Sequence, residues 1–127
     1  MMSSRPKIFL VDDDPAVRAS LAFSLELEGF LIETFDGSAE LAARAEFPDS
    51  GCLVLDYRLP RLDGLSLLKS LRSRGVVLPA VLITSAPSRA VRARAAEMGA
   101  AIVEKPLLCD ALTATVRAAL AAQAQAA

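Results

Sequence analysis

The side chains with chemistry to offer in this 127-residue chain are few. They are Asp12, Asp13 and Asp14 in "LVDDDP", Asp56 in "LDYR", Thr84 with Ser85 in "LITS", and Lys105 in "VEKP". Two carboxylates about 4 Å apart repel by roughly 1 kcal/mol in water and about 4 kcal/mol at an effective dielectric of 20. A run of three aspartates is therefore expected where negative charge has a use. A hard divalent cation such as Mg²⁺ supplies one, because it takes a few carboxylates, carbonyl oxygens and waters and shares a phosphate with its site. On this reading Asp12 and Asp13 hold the ion and Asp56 both touches it and attacks a phosphorus atom. Thr84 and Lys105 bind the oxygens of the transferred group. A carboxylate nucleophile needs no activating base, which suits a chain that has no histidine.

These residues need a scaffold that brings them together, and the hydrophobic pattern describes one. Short apolar runs alternate with segments of helical period, so that β-α repeats five times. The predicted strands are residues 8–11, 30–35, 52–55, 80–83 and 101–104. "IFLV", "CLVL" and "AVLI" contain no polar residue, as in parallel strands covered by helices on both faces. The runs carrying Glu33 with Thr34, and Glu104, are expected at the sheet edges. Asp14 and Pro15 read as the N-cap and first turn of a helix with Val17, Leu21 and Leu25 on its apolar side, closed by Gly29. A helix capped by Asp63 and running to Arg74 presents Leu65, Leu68 and Leu71. An arginine-rich helix follows Pro87 and ends near Gly99. A last one follows Pro106 with Leu108, Leu112, Val116, Ala119 and Leu120 on one side. The end, "ALAAQAQAA", is expected to fray or to lead into a linker. In folds of this kind ligands bind beyond the carboxyl ends of the strands. Each run that bears a chemical residue is apolar until its last position, so the polar groups should collect there.

Composition narrows the function. The chain is 54% apolar and 23% charged, the size of one compact domain. A net charge of -1 gives no broad attraction to nucleic acid or to an anionic membrane. No direct nucleic-acid or membrane binding is therefore expected. The apolar stretch before Asp12 is too short for a signal-peptide core and nothing approaches a membrane span, so the expected location is cytoplasmic. Without histidine most zinc, haem and Ser-His-Asp chemistry falls away. Cys52, inside an apolar run, reads as a buried structural thiol, and Cys109 as packing or a bystander.

With "LVDDDP", "LDYRLPRLDGLSLL", "LITS" and "VEKP" in order, each at a strand end, the sequence resembles a response-regulator receiver domain of two-component signalling, close to the nitrogen-fixation-regulator subgroup. The resemblance covers essentially the whole chain, with residues 1–122 as the domain and 123–127 as a low-complexity tail or the start of a linker. It implies a single-domain α/β fold, a flavodoxin-like (βα)5 doubly wound parallel sheet with strand order 2-1-3-4-5. It also implies that Asp56 is the phosphoacceptor, that Asp12, Asp13, Asp56 and the backbone carbonyl of Arg58 ligate Mg²⁺ or Mn²⁺, and that Thr84 and Lys105 engage the phosphoryl group. Pro60 and Gly64 would shape the loop after Asp56, the Lys105–Pro106 bond would be cis, and Arg58 and Ala86 would tune the lifetime of the phosphoaspartate. The implied partners are a sensor histidine kinase or histidine phosphotransfer protein. A phosphorylation-dependent homodimer is also implied, as is a downstream protein or an output domain outside this sequence. Such a domain catalyses only its own phosphorylation and dephosphorylation.

The sequence departs from the family where an aromatic residue usually stands three positions before the lysine; here the residue is Ile102. Leu107 stands where phenylalanine is frequent. Switching is therefore expected to rest more on the Thr84 loop and the following helix. That helix carries Arg89, Arg92 and Arg94, and the first two share a side as a candidate docking face. Two alternatives stand beside this reading. One is a degenerate receiver acting as a phosphorylation-independent binding module. The other is an aspartate-nucleophile phosphohydrolase of the haloacid dehalogenase type, whose D-x-D spacing Asp12 and Asp14 would supply.

Overall fold

The structure, a computed structural model, describes residues 5–105 and 109–126. Its elements in chain order are β1 (Lys7–Val11), α1 (Pro15–Leu27), β2 (Leu31–Phe35), α2 (Ser38–Ala42) and β3 (Cys52–Asp56). They continue with α3 (Gly64–Ser73), β4 (Ala80–Thr84), α4 (Arg89–Glu97), β5 (Ala100–Glu104) and α5 (Cys109–Ala126). All strand pairs are parallel and the order is β2-β1-β3-β4-β5. The two polar-bearing runs are the edges, as their composition requires.

Period-two alternation divides each central strand between two cores. Phe9, Val11, Leu53, Leu55 and Leu82 join Leu65, Leu68 and Leu71 of α3 and Val91 and Ala95 of α4. Ile8, Leu10, Val54, Val81 and Ile83 join Leu25 of α1 with Leu112 and Val116 of α5. A strand buried on both faces has no place for a polar side chain until it leaves the sheet. Each fully buried leucine contributes about 1.5–3 kcal/mol relative to exposure.

The expected helix ends hold. Asp14 accepts from the amides of Ala16 and Val17, Asp63 from Ser66, and Gly29 takes a φ of +96° just past α1. The arginine-rich helix begins at Arg89 rather than directly after Pro87, because Ser88 Oγ caps it by accepting from the Val91 amide at 3.1 Å. The second crossover has only five helical residues. The stretch after it is held by Arg74, which donates to the carbonyls of Ala42, Arg44 and Ala45. On α1 only Leu25 is fully buried; Phe23 and Leu27 are 63% and 70% exposed.

α5 runs to Ala126, and the Gln123 side chain accepts from the Gly51 amide and donates to the Asp49 carbonyl. The expectations for Pro106, Leu107 and Leu108, including a cis Lys105–Pro106 bond, lie outside the described residues, as does the Cys109 side chain. Among the described residues no helix is long and apolar enough to cross a membrane.

Candidate functional site

β1 and β3 are adjacent and parallel, so they deliver Asp12, Asp13 and Asp56 to the same end of the sheet. One carboxylate oxygen from each of the three lies within 4.8 Å of the others. Asp12 and Asp56 are 1% and 3% exposed, while Asp13 faces solvent.

Asp12 is held tightly at its backbone and at one carboxylate oxygen. Its amide donates to the Phe35 carbonyl at 3.3 Å, and its Oδ1 accepts from the Asp14 amide at 3.0 Å. Its Oδ2 is buried without a hydrogen-bond partner among the described residues. A charged group left unpaired in the interior costs upwards of about 1–3 kcal/mol. Desolvation by burial raises the Asp12 pKa above its ordinary value. The Asp14 amide works against this, Asp56 adds to it, Lys105 opposes it and Asp13 adds to it. A buried, unpaired carboxylate oxygen facing two further carboxylates fits a hard cation with oxygen ligands.

Asp56 ends β3 opposite Ile83. Its Oδ1 accepts from the Arg58 amide at 3.2 Å, and the Lys105 ammonium lies 3.3 Å from Oδ2 and 3.5 Å from Oδ1. Lys105 is itself placed by its amide, which donates to the Thr84 carbonyl at 2.8 Å. Thr84 is 3% exposed, and its hydroxyl makes a long contact of 3.4 Å to the Ser85 carbonyl. That bond is weak enough to exchange for a better acceptor. The backbone bends away after Asp56 through a close approach: the Gly64 amide donates to the Tyr57 carbonyl at 2.9 Å, and a Cβ on Gly64 would stand 2.5 Å from the Asp56 carbonyl oxygen.

The residues singled out in the sequence thus collect at one end of the sheet. Asp14 is not part of the acidic cluster, because its carboxylate is spent on the α1 amides. The D-x-D reading loses its second acid. Arg58 and Ala86 are exposed in the loops after β3 and β4, and Ala86 takes a φ of +38°. Ile102 is half-buried against the core of α3 and α4. Arg92 pairs with Glu104 at 2.8 Å, Arg89 is exposed and Arg94 is half-buried. Cys52 is fully buried, and burial pushes its thiol up to about 12, an inert packing group.

Two contributors were missed in the sequence. Arg18 reaches back from α1 to donate to the Asp12 carbonyl at 2.7 Å. Its only signal is a basic residue one turn into a helix that starts beside the acids. The Arg58 amide on Asp56 carries no sequence signal at all, since every non-proline residue has an amide.

The response regulator receiver domain profile matches residues 8–117. The transcriptional regulatory protein FixJ of Azorhizobium caulinodans is 37% identical over 119 residues, which are 93% of this chain and 56% of that protein. The chain spans a little over half the length of the FixJ relatives it matches. A CheY-like response regulator receiver domain protein from Methanospirillum hungatei superposes with a TM-score of 0.85 at 28% identity, covering 98% of this chain and all of that one. Full-length FixJ from B. japonicum superposes with a TM-score of 0.82 at 34% identity, covering 98% of this chain and 62% of that one.

Proposed function

Because the chain belongs to the response regulator receiver domain family, we propose that Asp56 accepts a phosphoryl group from a phosphohistidine of a sensor histidine kinase or histidine phosphotransfer protein. The observation that carries this assignment is the Lys105 ammonium 3.3 Å from a buried Asp56 carboxylate that shares a cluster with Asp12 and Asp13. An Asp56 oxygen forms the new bond to phosphorus, and the imidazole nitrogen leaves with the electron pair of the broken P–N bond.

Asp12, Asp13, Asp56 and the Arg58 carbonyl would hold Mg²⁺ or Mn²⁺, which neutralises charge between the carboxylates and the incoming phosphate. The fit rests on the orphaned Asp12 Oδ2 and the all-oxygen donor set. Lys105 stays paired with the modified Asp56, and the Thr84 hydroxyl leaves the Ser85 carbonyl to donate to a phosphoryl oxygen. The added charge of about -2 is what biases the β4–α4 loop. Ile102 follows Thr84 by repacking against the α3 and α4 core rather than by swinging an aromatic ring.

The domain works in the cytoplasm, and its product is a changed surface. The greater length of the FixJ relatives supports an output domain joined beyond α5. The α4–β5 side supports a phosphorylation-dependent contact with a second copy or a downstream protein.

The test is intact-protein mass after incubation with a small-molecule phosphodonor, with and without Mg²⁺, for the wild type and Asp56→Asn. One added phosphoryl group, dependent on Mg²⁺ and missing in the variant, is the expected result. An unmodified wild type, under conditions that label a control receiver, overturns the assignment in favour of a binding module without phosphorylation.

A further inference from the structure

Asp12 is the best-buried acid of the site, and its polar atoms can be followed one by one. The amide is fixed to the Phe35 carbonyl of β2, Oδ1 to the Asp14 amide, and the backbone carbonyl to Arg18 Nη1 at 2.7 Å. Oδ2 alone is without a partner among the described residues. Two of these three anchors are backbone groups, and Arg18 is the anchor made by a side chain. Its bond is short and charge-assisted, the stronger class of hydrogen bond. Arg18 itself is rooted in α1, where its amide donates to the Asp14 carbonyl at 2.8 Å, and its side chain is half-buried. One residue therefore ties the first turn of α1 to the corner from which Asp12 and Asp13 project.

We infer that Arg18 is a positioning residue for the divalent cation: by holding the Asp12 carbonyl it presets the β1–α1 corner so that the Asp12 and Asp13 carboxylates face Asp56 before the cation arrives. The inference rests on the metal reading above and adds a residue that never touches the ion. Groups that orient metal ligands in this way typically change affinity 10- to 100-fold when removed, and an anchor acting through the backbone belongs at the low end, about tenfold.

The experiment is a Mg²⁺ titration without phosphodonor, followed by calorimetry and by the emission of Tyr57. Tyr57 is the chain's single tyrosine, there is no tryptophan, and it directly follows Asp56. Arg18→Met keeps the apolar stem and removes the donor, Arg18→Lys restores a cation, and Arg117→Met removes an exposed arginine paired with Glu28 away from the site. The expected result is an affinity about tenfold weaker in Arg18→Met, partly recovered in Arg18→Lys and unchanged in Arg117→Met. A purely structural role for Arg18 would lower the melting temperature of the metal-free protein and leave the affinity alone. Arg18→Met binding within about twofold of the wild type overturns the inference. Should Arg18→Met not fold, Arg18→Ala, which also lacks the donor, binding within about twofold of the wild type overturns it equally. A wild type that takes up no Mg²⁺ brings down the metal reading itself, and this inference with it.

Discussion

Gly64 and Asp56 meet backbone to backbone. A Cβ at residue 64 would stand 2.5 Å from the Asp56 carbonyl oxygen and 2.9 Å from Leu82 Cδ1, and the backbone there has no side chain's worth of space to yield. The first residue of α3 thus rests against β3 at Asp56. Gly64→Ala is expected to cost about 1–3 kcal/mol as an overpacked core does, and to displace Asp56. Urea unfolding reads the first effect and the rate of phosphoryl uptake by mass reads the second. A variant with wild-type stability would show that the contact yields freely.

The Asp12 carboxyl makes the metal-free protein pH-sensitive in a definite direction. Its folded pKa lies above the ordinary 3.8. The folded state therefore holds the proton more tightly than the unfolded one. The stabilising contribution of this group is full below the unfolded pKa and is lost as pH rises through the folded pKa. Asp12→Asn removes the charge, so in chelator at neutral pH it should be the more stable protein by about 1 kcal/mol or more, with the gain vanishing towards pH 4. Added Mg²⁺ should stabilise the wild type and leave the variant little changed. Thermal melts across pH with chelator or Mg²⁺ check both signs.

Lys105 lies 3.3 Å from Asp56 and outside the carboxylate cluster, so the charge-pairing and metal-binding roles separate. Lys105→Met should retain Mg²⁺ binding and lose phosphoryl transfer by about 10²–10³-fold, as when one preorganised donor to a developing charge is removed. Titration and single-turnover mass measurements on the same sample distinguish this from a general collapse of the site.

Arg92 and Glu104 are each about half exposed, and an exposed ion pair contributes at most about 1 kcal/mol. Reversing Arg89 and Arg92 to Glu should therefore leave the fold and the phosphorylation intact. Sedimentation of the phosphorylated protein should nonetheless show weaker self-association if α4 and β5 form the contact surface. Unchanged association would remove these arginines from it.

The strands, their order of burial and the chemistry at their ends were legible because parallel strands packed on both faces tolerate no polar residue before the last one. "IFLV" ending in Asp12, "CLVL" in Asp56 and "AVLI" in Thr84 each mark a boundary and a functional group at once. Glu33 and Glu104 marked the edge strands, since only an edge lets a charge out of the layer, and Asp14–Pro15 and Asp63 marked helix starts through local capping. These are effects of neighbours in sequence or of a single periodicity. The orphaned Asp12 Oδ2, the Arg18 bond to the Asp12 carbonyl and the Gly64 contact with Asp56 had no such signal. Each depends on where one element lies against another, and a one-residue shift in register or a modest rotation of α1 would change all of them while leaving the sequence pattern the same. Residue types and periodicity determined that acidic and polar groups would collect at the carboxyl end of a parallel sheet; tertiary packing decided how deeply each carboxylate is buried, which atoms pair, and which residue of α1 reaches back to the Asp12 backbone.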